Sequence, residues 1–146
     1  MAPANVVWAR VTTPDGINDE LMPSMRMTMP ASMRGRSIAD VSSGTHLGRS
    51  WLLLFGVIPF DYDDLMIAAV EPGHFLEQST MLSMSTWQHE RTITEDRGGS
   101  IVSDRISFEL RRPLVHVPGV ASLLHAGIER MFRHRHRRLA HYFRSS

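Results

Sequence analysis

The amino-acid sequence predicts a single α+β domain, residues 1–146, in which a curved antiparallel sheet of six or seven strands surrounds a long C-terminal helix. Three observations predict this fold. Extended segments recur between turn-forming residues in the middle of the chain, residues 119–143 contain no proline and suit one long helix, and a helical pattern follows a first predicted strand. A length of 146 residues is enough for one core, or for a core that encloses a ligand cavity.

Local composition predicts the first elements. Residues 5–12 are rich in branched and aromatic side chains, which favours a strand. Thr13 followed by Pro14 is typical of a helix start, so one or two short helices should follow that strand. Residues 28–49 show weak periodicity apart from a short candidate strand at residues 37–41.

The middle of the chain predicts an antiparallel meander. Its segments are SWLLLFGVI, DDLMIAAVE, HFLEQSTMLSM, TWQHERTIT and SIVSDRISFELR. PFDY, EPG, a break near Ser85, and EDRGG separate them as predicted turns. Asp61, Asp63 and Asp64 fall in or beside the first of these turns, which predicts a solvated acidic loop. In the third segment either face could point inward, whereas the last segment has one apolar face that is interrupted only by Asp104.

The predicted C-terminal helix has an apolar stripe. At about 100° per residue the stripe contains Val120, Leu124, Ile128, Met131, Phe132, Leu139 and Tyr142. Arg135 falls near its centre, and most of the other arginines lie on the opposite face. Six of the sixteen basic residues lie in residues 130–146, where there is no acidic residue. The remaining arginines are therefore expected to be solvated and to complement the C-terminal end of the helix dipole.

This order of elements resembles that of the START-like, or SRPBCC, superfamily, which includes polyketide cyclases, lipid-transfer domains and plant pollen-allergen homologues. The segments that carry the resemblance are GINDELMP, GRSWLLLFGVIPFDYDD, the EPG turn with Phe75 and Glu77, TWQHER, SDRISFELR and FRHRHRRL, and they look like a bacterial branch of the superfamily. The resemblance implies a helix-grip fold, in which the sheet grips the C-terminal helix around an apolar cavity open at one end. The superfamily has no universal catalytic motif, so the resemblance assigns no catalytic residue.

One buried charge is expected to need a partner. Arg135 lies in the apolar stripe, and an unpaired ion in a low-dielectric core costs several kcal/mol or more. Asp104 poses the same problem on the inner face of the last strand, and we therefore predict that the two pair, directly or through His89 or His136. Such a pair either locks the helix onto the sheet or recognises the polar end of an apolar ligand.

The predicted function is binding or carriage of a small hydrophobic or amphipathic molecule, such as a lipid, a polyketide-like compound or an aromatic metabolite. The expected ligand-binding residues are Trp87, His89, Asp104, Ile106, Phe108, Leu124, Ile128, Met131, Phe132 and Arg135. One alternative is a cyclase, dehydratase or hydrolase acting in the same cavity, with His89 and Asp104 as candidate acid and base. Another is a noncatalytic interaction module that uses the basic C-terminal helix.

Other classes of function have weaker support. His134 and His136 are about 200° apart around a helix, so they cannot bind one metal ion together, and no metal or other cofactor is expected. Met25, Met27 and Met29 could bind Cu(I), but an adaptable apolar surface near a cavity entrance is the preferred interpretation. The absence of cysteine and of a GxSxG motif disfavours nucleophilic catalysis.

The partners and the compartment are predicted only in outline. The body of the chain is acidic, so binding to nucleic acid is not expected, while an anionic membrane surface or an anionic protein stays open as a partner for the basic helix end. With neither a signal-peptide pattern nor a membrane-spanning run, a cytoplasmic location is expected.

Overall fold

A computed structural model describes residues 2–146. Its helices are α1 (Ala4–Val11), α2 (Pro14–Leu21), α3 (Arg112–Val115) and α4 (Val120–Ser145), and its strands are β1 (Met25–Met27), β2 (Thr45–Leu54), β3 (Ile58–Glu71), β4 (His74–Met81), β5 (Met84–Asp96) and β6 (Gly99–Leu110). Two 3-10 turns, Ala31–Met33 and Ile38–Asp40, lie between β1 and β2.

The six strands form one antiparallel sheet in the order β1-β2-β3-β4-β5-β6, so every strand pairs with its neighbour in sequence. Register shifts occur within the β2–β3, β3–β4 and β5–β6 pairs, and such irregularities bend and twist a sheet. The sheet curls into a half-barrel, with α4 and the short early helices beside it. The predicted α+β class, an antiparallel sheet of six strands and the long C-terminal helix are confirmed, although the first strand is β1 rather than residues 5–12.

Helix α2 begins where the Thr13–Pro14 pattern predicts. The Thr13 hydroxyl accepts a hydrogen bond from the Gly16 amide at 3.1 Å, and Pro14 occupies the first turn, where its missing N–H costs nothing. Arg138 of α4 donates to the Asp19 carboxylate at 2.8 Å, which joins the two helices near their buried faces. Phe132, Arg135 and Leu139 are the buried residues of α4, as its predicted stripe requires.

Three local predictions are wrong. Residues 5–12 form most of α1 rather than a strand, because Val7 and Val11 are four residues apart and both enter the core beside Ile93 and Leu139. A branched-residue count cannot separate that helical spacing from a strand.

The other two errors concern the predicted strand at residues 37–41 and the predicted turn at PFDY. The candidate strand at residues 37–41 is a 3-10 turn closed by a capping box between Ser37 and Asp40, in which local hydrogen bonds replace a strand partner. The PFDY segment lies inside β3, and the chain reverses instead at residues 55–57, where Phe55 and Gly56 adopt positive φ.

Candidate functional site

A cavity of about 360 Å³ lies between the concave face of the sheet and α4. Its wall is predominantly apolar, and seven of the ten methionines contribute to it: Met25, Met27, Met29, Met33, Met81, Met84 and Met131. Methionine is unbranched and polarizable, so it adapts to irregular apolar surfaces. The cavity is therefore a space with an adaptable wall, and its volume is at the lower end of the range of about 300–1,000 Å³ that small-molecule sites occupy.

Exposed residues of two elements mark the mouth of the cavity. Phe60 of β3 is 49% exposed and Leu123 of α4 is 74% exposed, and both line the cavity. Gly127, one helical turn after Leu123, is also exposed and lines the same space. A Cβ atom built on Gly127 meets no atom within 4 Å, so the helix leaves open space at this point.

Arg135 joins the cavity wall to a buried ion-pair network. It is 7% exposed, and its Nε donates to Oε2 of Glu20 at 3.0 Å. Glu20 also accepts from Nη1 and Nη2 of Arg91, at 2.9 and 3.0 Å, in a bidentate pair. One carboxylate from α2 thereby holds one arginine from α4 and one from β5.

The network continues from Arg91 to Asp104. Arg91 is fully buried, and its Nε donates to Oδ1 of Asp104 at 2.7 Å while Nη2 donates to Oδ2 at 2.9 Å. His89 Nε2 lies 2.7 Å from the same Oδ1, and His136 Nε2 lies 2.6 Å from Oδ2. Two arginines and two carboxylates thus balance one another, with two histidines beside Asp104.

The charged forms of this network are strongly favoured. Burial alone would raise the pKa of Asp104, but hydrogen bonds from His136, His89 and Arg91 outweigh it and hold the pKa well below its usual range. Burial would also raise the pKa of Glu20, and the charges of Arg135 and Arg91 lower it. For Arg91, burial favours the neutral form, but Asp104 and Glu20 more than compensate and raise the pKa.

A second polar group lies on the cavity wall itself. Glu77 Oε2 is 3.7 Å from His89 Nδ1, and Glu77 Oε1 accepts a hydrogen bond from Ser79 at 3.0 Å. Asp63, from the adjacent strand β3, also lines the cavity, and burial together with the charge of Glu77 raises its pKa well above the usual range. The rings of Phe75 and Phe132 meet the His89 ring edge to face, with centroids 5.2 and 5.1 Å away, so the histidine is held between them.

The structure brings six of the ten predicted ligand-binding residues to the cavity wall: Trp87, His89, Leu124, Ile128, Met131 and Arg135. Phe132 is buried against His89, and Ile106 packs half-buried in the apolar cluster around Trp87. Phe108 lines a shallow groove between β6 and α4 instead. Asp104 lies behind His89 and is not part of the wall. Contact of these residues with a ligand stays a prediction.

The predicted pair between Arg135 and Asp104, made directly or through His89 or His136, is wrong, although Arg135 is buried and paired as expected and both histidines contact Asp104. Glu20 is the counter-ion of Arg135, and Arg91 is that of Asp104. Sequence reasoning assigned neither counter-ion. Glu20 lies in a short helix that is far along the chain from Arg135, so no local pattern links the two. Arg91 did carry a signal, since it shares a strand face with Trp87 and His89, and all three are buried.

The acidic-loop prediction is also wrong. Asp61 and Asp63 are 5% and 4% exposed, because both alternate inward with Leu65 and Ile67 along β3. Asp61 accepts hydrogen bonds from the amides of Tyr62 and Leu82, at 2.7 and 2.9 Å, and from the Ser83 hydroxyl. It ties β3 to the turn before β5.

His134 and His136 of α4 have different partners. His134 contacts the Met22 carbonyl oxygen at 2.9 Å, and His136 contacts Asp104. Among residues 2–146, no group of three His, Asp or Glu side chains is placed to hold a metal ion. Across the same residues, no helix combines the length and the apolar character needed to cross a bilayer.

Comparison with known proteins gives a fold relationship and a family. The crystal structure of Protein Ms6760 from Mycobacterium smegmatis is similar, with a TM-score of 0.61 and 16% sequence identity over 94% of this chain and 82% of that one. At that identity the likeness concerns the fold, and a curled antiparallel sheet with a C-terminal helix is compatible with the helix-grip architecture. No curated protein matches the chain. The model of a family described as a domain of unknown function, DUF8410, matches residues 1–143.

Proposed function

The chain belongs to the DUF8410 family, and since that description assigns no activity, we propose from the geometry of the site that the protein binds a small hydrophobic or amphipathic molecule between the sheet and α4. We also propose that this fold is a START-like one, as the sequence resemblance implies. The observation that carries the proposal is the 360 Å³ apolar cavity with an exposed mouth.

Three properties of the cavity support binding rather than a purely structural role. Its wall is apolar, so burial of ligand surface contributes roughly 25 cal/mol per Å² before entropic costs. Its methionines can adjust to ligands of different shape. Its few polar side chains include Glu77 and His89, whose Oε2 and Nδ1 atoms lie 3.7 Å apart and suit the polar end of an amphipathic molecule.

Gly127 offers a direct test. We expect Gly127→Trp to weaken binding of the uncharged fluorescent probe N-phenyl-1-naphthylamine at least tenfold, because the new side chain extends into open space at the mouth. Glycine is a poor helix former, so the substitution should leave the stability of α4 unchanged or raised. Titration of probe fluorescence measures the binding, and circular dichroism during urea unfolding measures the stability.

Gly127→Ala is the matched control. It removes the same glycine but adds only one methyl group, so probe affinity should stay within about twofold while stability rises by up to about 1 kcal/mol. Equal probe affinity in Gly127→Trp and in the unmodified protein would refute this cavity as the site. Native mass spectrometry of protein purified from its source organism then identifies a co-purifying molecule.

The enzymatic alternative stays a prediction. Asp104 is engaged by Arg91, His89 and His136 behind the wall, which suits it to orient His89 rather than to act as a base on a ligand. His89 does line the cavity. An apolar ligand recovered chemically unchanged after long incubation would argue against catalysis.

A further inference from the structure

One end of the sheet exposes many apolar side chains. Because consecutive strands are antiparallel, the β2–β3 turn, the β4–β5 turn and the chain that follows β6 all lie at this end. Within residues 2–146, thirteen large apolar side chains are exposed, and nine of them lie here. We refer to six of the nine, which are 49–74% exposed, as the apolar rim: Phe55, Val57, Ile58, Phe60, Leu82 and Leu123.

The apolar rim surrounds the mouth of the cavity. Phe60 of β3 and Leu123 of α4 both line the cavity, so they face each other across its opening. The amide of Leu82 donates to Oδ1 of Asp61 at 2.9 Å, which places the β4–β5 turn beside Phe60. The amide of Arg111 donates to a carbonyl oxygen of the same turn at 3.0 Å and so brings the chain before α3 to it. The rim is therefore one surface built from three parts of the chain.

Neither burial nor backbone preference accounts for the aromatic residue at the tip of the β2–β3 hairpin. Phe55 is 65% exposed and adopts a φ of 52°, in the left-handed region that disfavours bulky side chains and favours Gly, Asn or Asp. Residues 53–60 also contain no charged residue, although turns are usually polar. Exposed apolar patches of more than about a few hundred Å² mark contact surfaces, and this end of the molecule has that character.

The charges at this end are all positive. Its four segments contain Arg26, Arg111 and Arg112, all exposed, and no acidic residue. The segments are residues 22–27, 53–60, 82–83 and 111–127. A Cβ atom built on Gly56 would lie 3.9 Å from that of Arg26, so this arginine lies at the hairpin tip. Asp61, which follows the hairpin, is buried and accepts hydrogen bonds from two backbone amides.

We infer that the apolar rim docks onto the surface of a lipid bilayer that contains anionic lipids. Apolar and aromatic side chains enter the boundary between headgroups and acyl chains, and nearby arginines pair with anionic headgroups. The mouth of the cavity then opens onto the bilayer, so an apolar ligand enters without crossing water. The docking surface does not depend on the proposed binding function, whereas this route of entry does.

Charge favours a bilayer over two other arrangements. A second copy seated rim to rim would bring the arginines of both copies together, and like charges across an interface are repelled. The basic end of α4 is a different surface, since the 26 residues of α4 span about 39 Å from the rim to that end. Docking through the rim therefore leaves the basic helix end away from the bilayer.

Co-sedimentation with lipid vesicles tests the inference. The unmodified protein should partition at least tenfold more strongly into phosphatidylcholine vesicles that contain about one third phosphatidylglycerol than into phosphatidylcholine alone, and added salt should reduce the difference. No sedimentation with either vesicle would overturn the inference.

Phe55→Asn combined with Val57→Ser tests the apolar contribution. Both residues lie outside the cavity wall, and asparagine suits the left-handed backbone at the tip. We expect vesicle partitioning to fall at least tenfold while binding of N-phenyl-1-naphthylamine, measured without vesicles, stays within about twofold. Ile101→Thr is the matched control, because it shortens an exposed apolar side chain at the opposite end of the sheet, and its partitioning should stay within about twofold.

Two pairs of arginine variants distinguish the two ends of the molecule. Each arginine beside an anionic surface contributes about fivefold, so Arg26→Gln with Arg112→Gln should lower partitioning into anionic vesicles at least tenfold. Arg137→Gln with Arg144→Gln removes the same charge from the basic end of α4 and should change it less than about twofold. A larger effect of the second pair would assign the contact to the helix end and overturn the inference.

The remaining outcomes separate this surface from its rivals. If the unmodified protein sediments as a dimer that Phe55→Asn with Val57→Ser converts to a monomer, a second copy covers the rim and the inference is overturned. If the probe binds but the protein does not partition into vesicles, the cavity function stands and the docking surface is refuted. If the protein partitions as expected but the probe does not bind, the docking surface stands and the cavity function is refuted.

Discussion

Glu20 is the residue on which the buried ion-pair network most depends. Its carboxylate is 1% exposed and accepts three hydrogen bonds from two guanidinium groups. Replacing it with glutamine keeps the size of the side chain but removes the charge. Arg91 retains Asp104 as its counter-ion. In the part of the chain that the structure describes, Arg135 makes no ion pair with any carboxylate other than Glu20.

The expected cost of Glu20→Gln follows from that difference. Removing one partner of a buried ion pair costs about 3–5 kcal/mol, because an uncompensated charge is left in the interior. Such a loss is a large part of the 5–15 kcal/mol by which a typical domain is stable. Arg135→Met should cost less, about 1–2 kcal/mol, since Glu20 still accepts two hydrogen bonds from Arg91.

The double variant tests the reasoning. Because Arg135→Met has already removed the charge that Glu20→Gln would leave unpaired, the combined loss should fall at least about 2 kcal/mol short of the sum of the single losses. Urea unfolding followed by tryptophan fluorescence and circular dichroism measures all three variants. Additivity within about 0.5 kcal/mol would refute the pairing.

Asp19→Asn is the matched control in the same helix. Its carboxylate pairs with Arg138 at 2.8 Å, but the two side chains are 32% and 38% exposed. Exposed pairs contribute about 0–1 kcal/mol, so this variant should lose less than about 1 kcal/mol. A loss as large as that of Glu20→Gln would show that position in α2, rather than burial of the charge, sets the cost.

Three further predictions follow from the carboxylates. The pKa values of Glu20 and Asp104 are lowered on folding, so the stability that they contribute is present above their unfolded pKa of about 4 and is lost as pH falls below it. The urea midpoint of Asp104→Asn should therefore depend less steeply on pH between pH 5 and 3 than that of the unmodified protein. Asp63 has the opposite sign, since its raised pKa means that stability is lost as pH rises from the unfolded towards the folded value. The stability of Asp63→Asn relative to the unmodified protein should therefore increase by about 1.4 kcal/mol per pH unit in that window, and a constant difference would contradict the raised pKa. Asp61→Ala should lose about 1–3 kcal/mol in urea unfolding because the turn before β5 loses its acceptor, whereas Asp64→Ala, a half-exposed neighbour, should lose less than about 1 kcal/mol.

Periodicity predicted the parts of the fold that are regular over many residues. The apolar stripe of α4 and the alternating strand β6 repeat their pattern often enough to identify both the element and its buried face, whereas the pattern of β4 left its buried face open. Short segments failed. Residues 5–12 have one helical turn of buried valines within a strand-like composition, and residues 37–41 are organised by side-chain capping.

For the candidate site, the sequence by itself determined that the interior contains charge. Arg135 lies in the helix stripe and Asp104 on a strand face, and burial of an unpaired ion is too costly to tolerate. Apolar residues at helical and strand spacing likewise placed Trp87, Ile128 and Met131 around a common space.

Only the tertiary structure decided which charges pair and which carboxyl group has a raised pKa. Coulombic attraction depends on separation in space, and Glu20 is 71 residues from Arg91 and 115 from Arg135 in the chain. The raised pKa of Asp63 depends on its burial and on the charge of Glu77, which lies on the other strand of the β3–β4 pair. Periodicity along the chain reports which residues face inward, but it carries no information on which inward-facing groups meet.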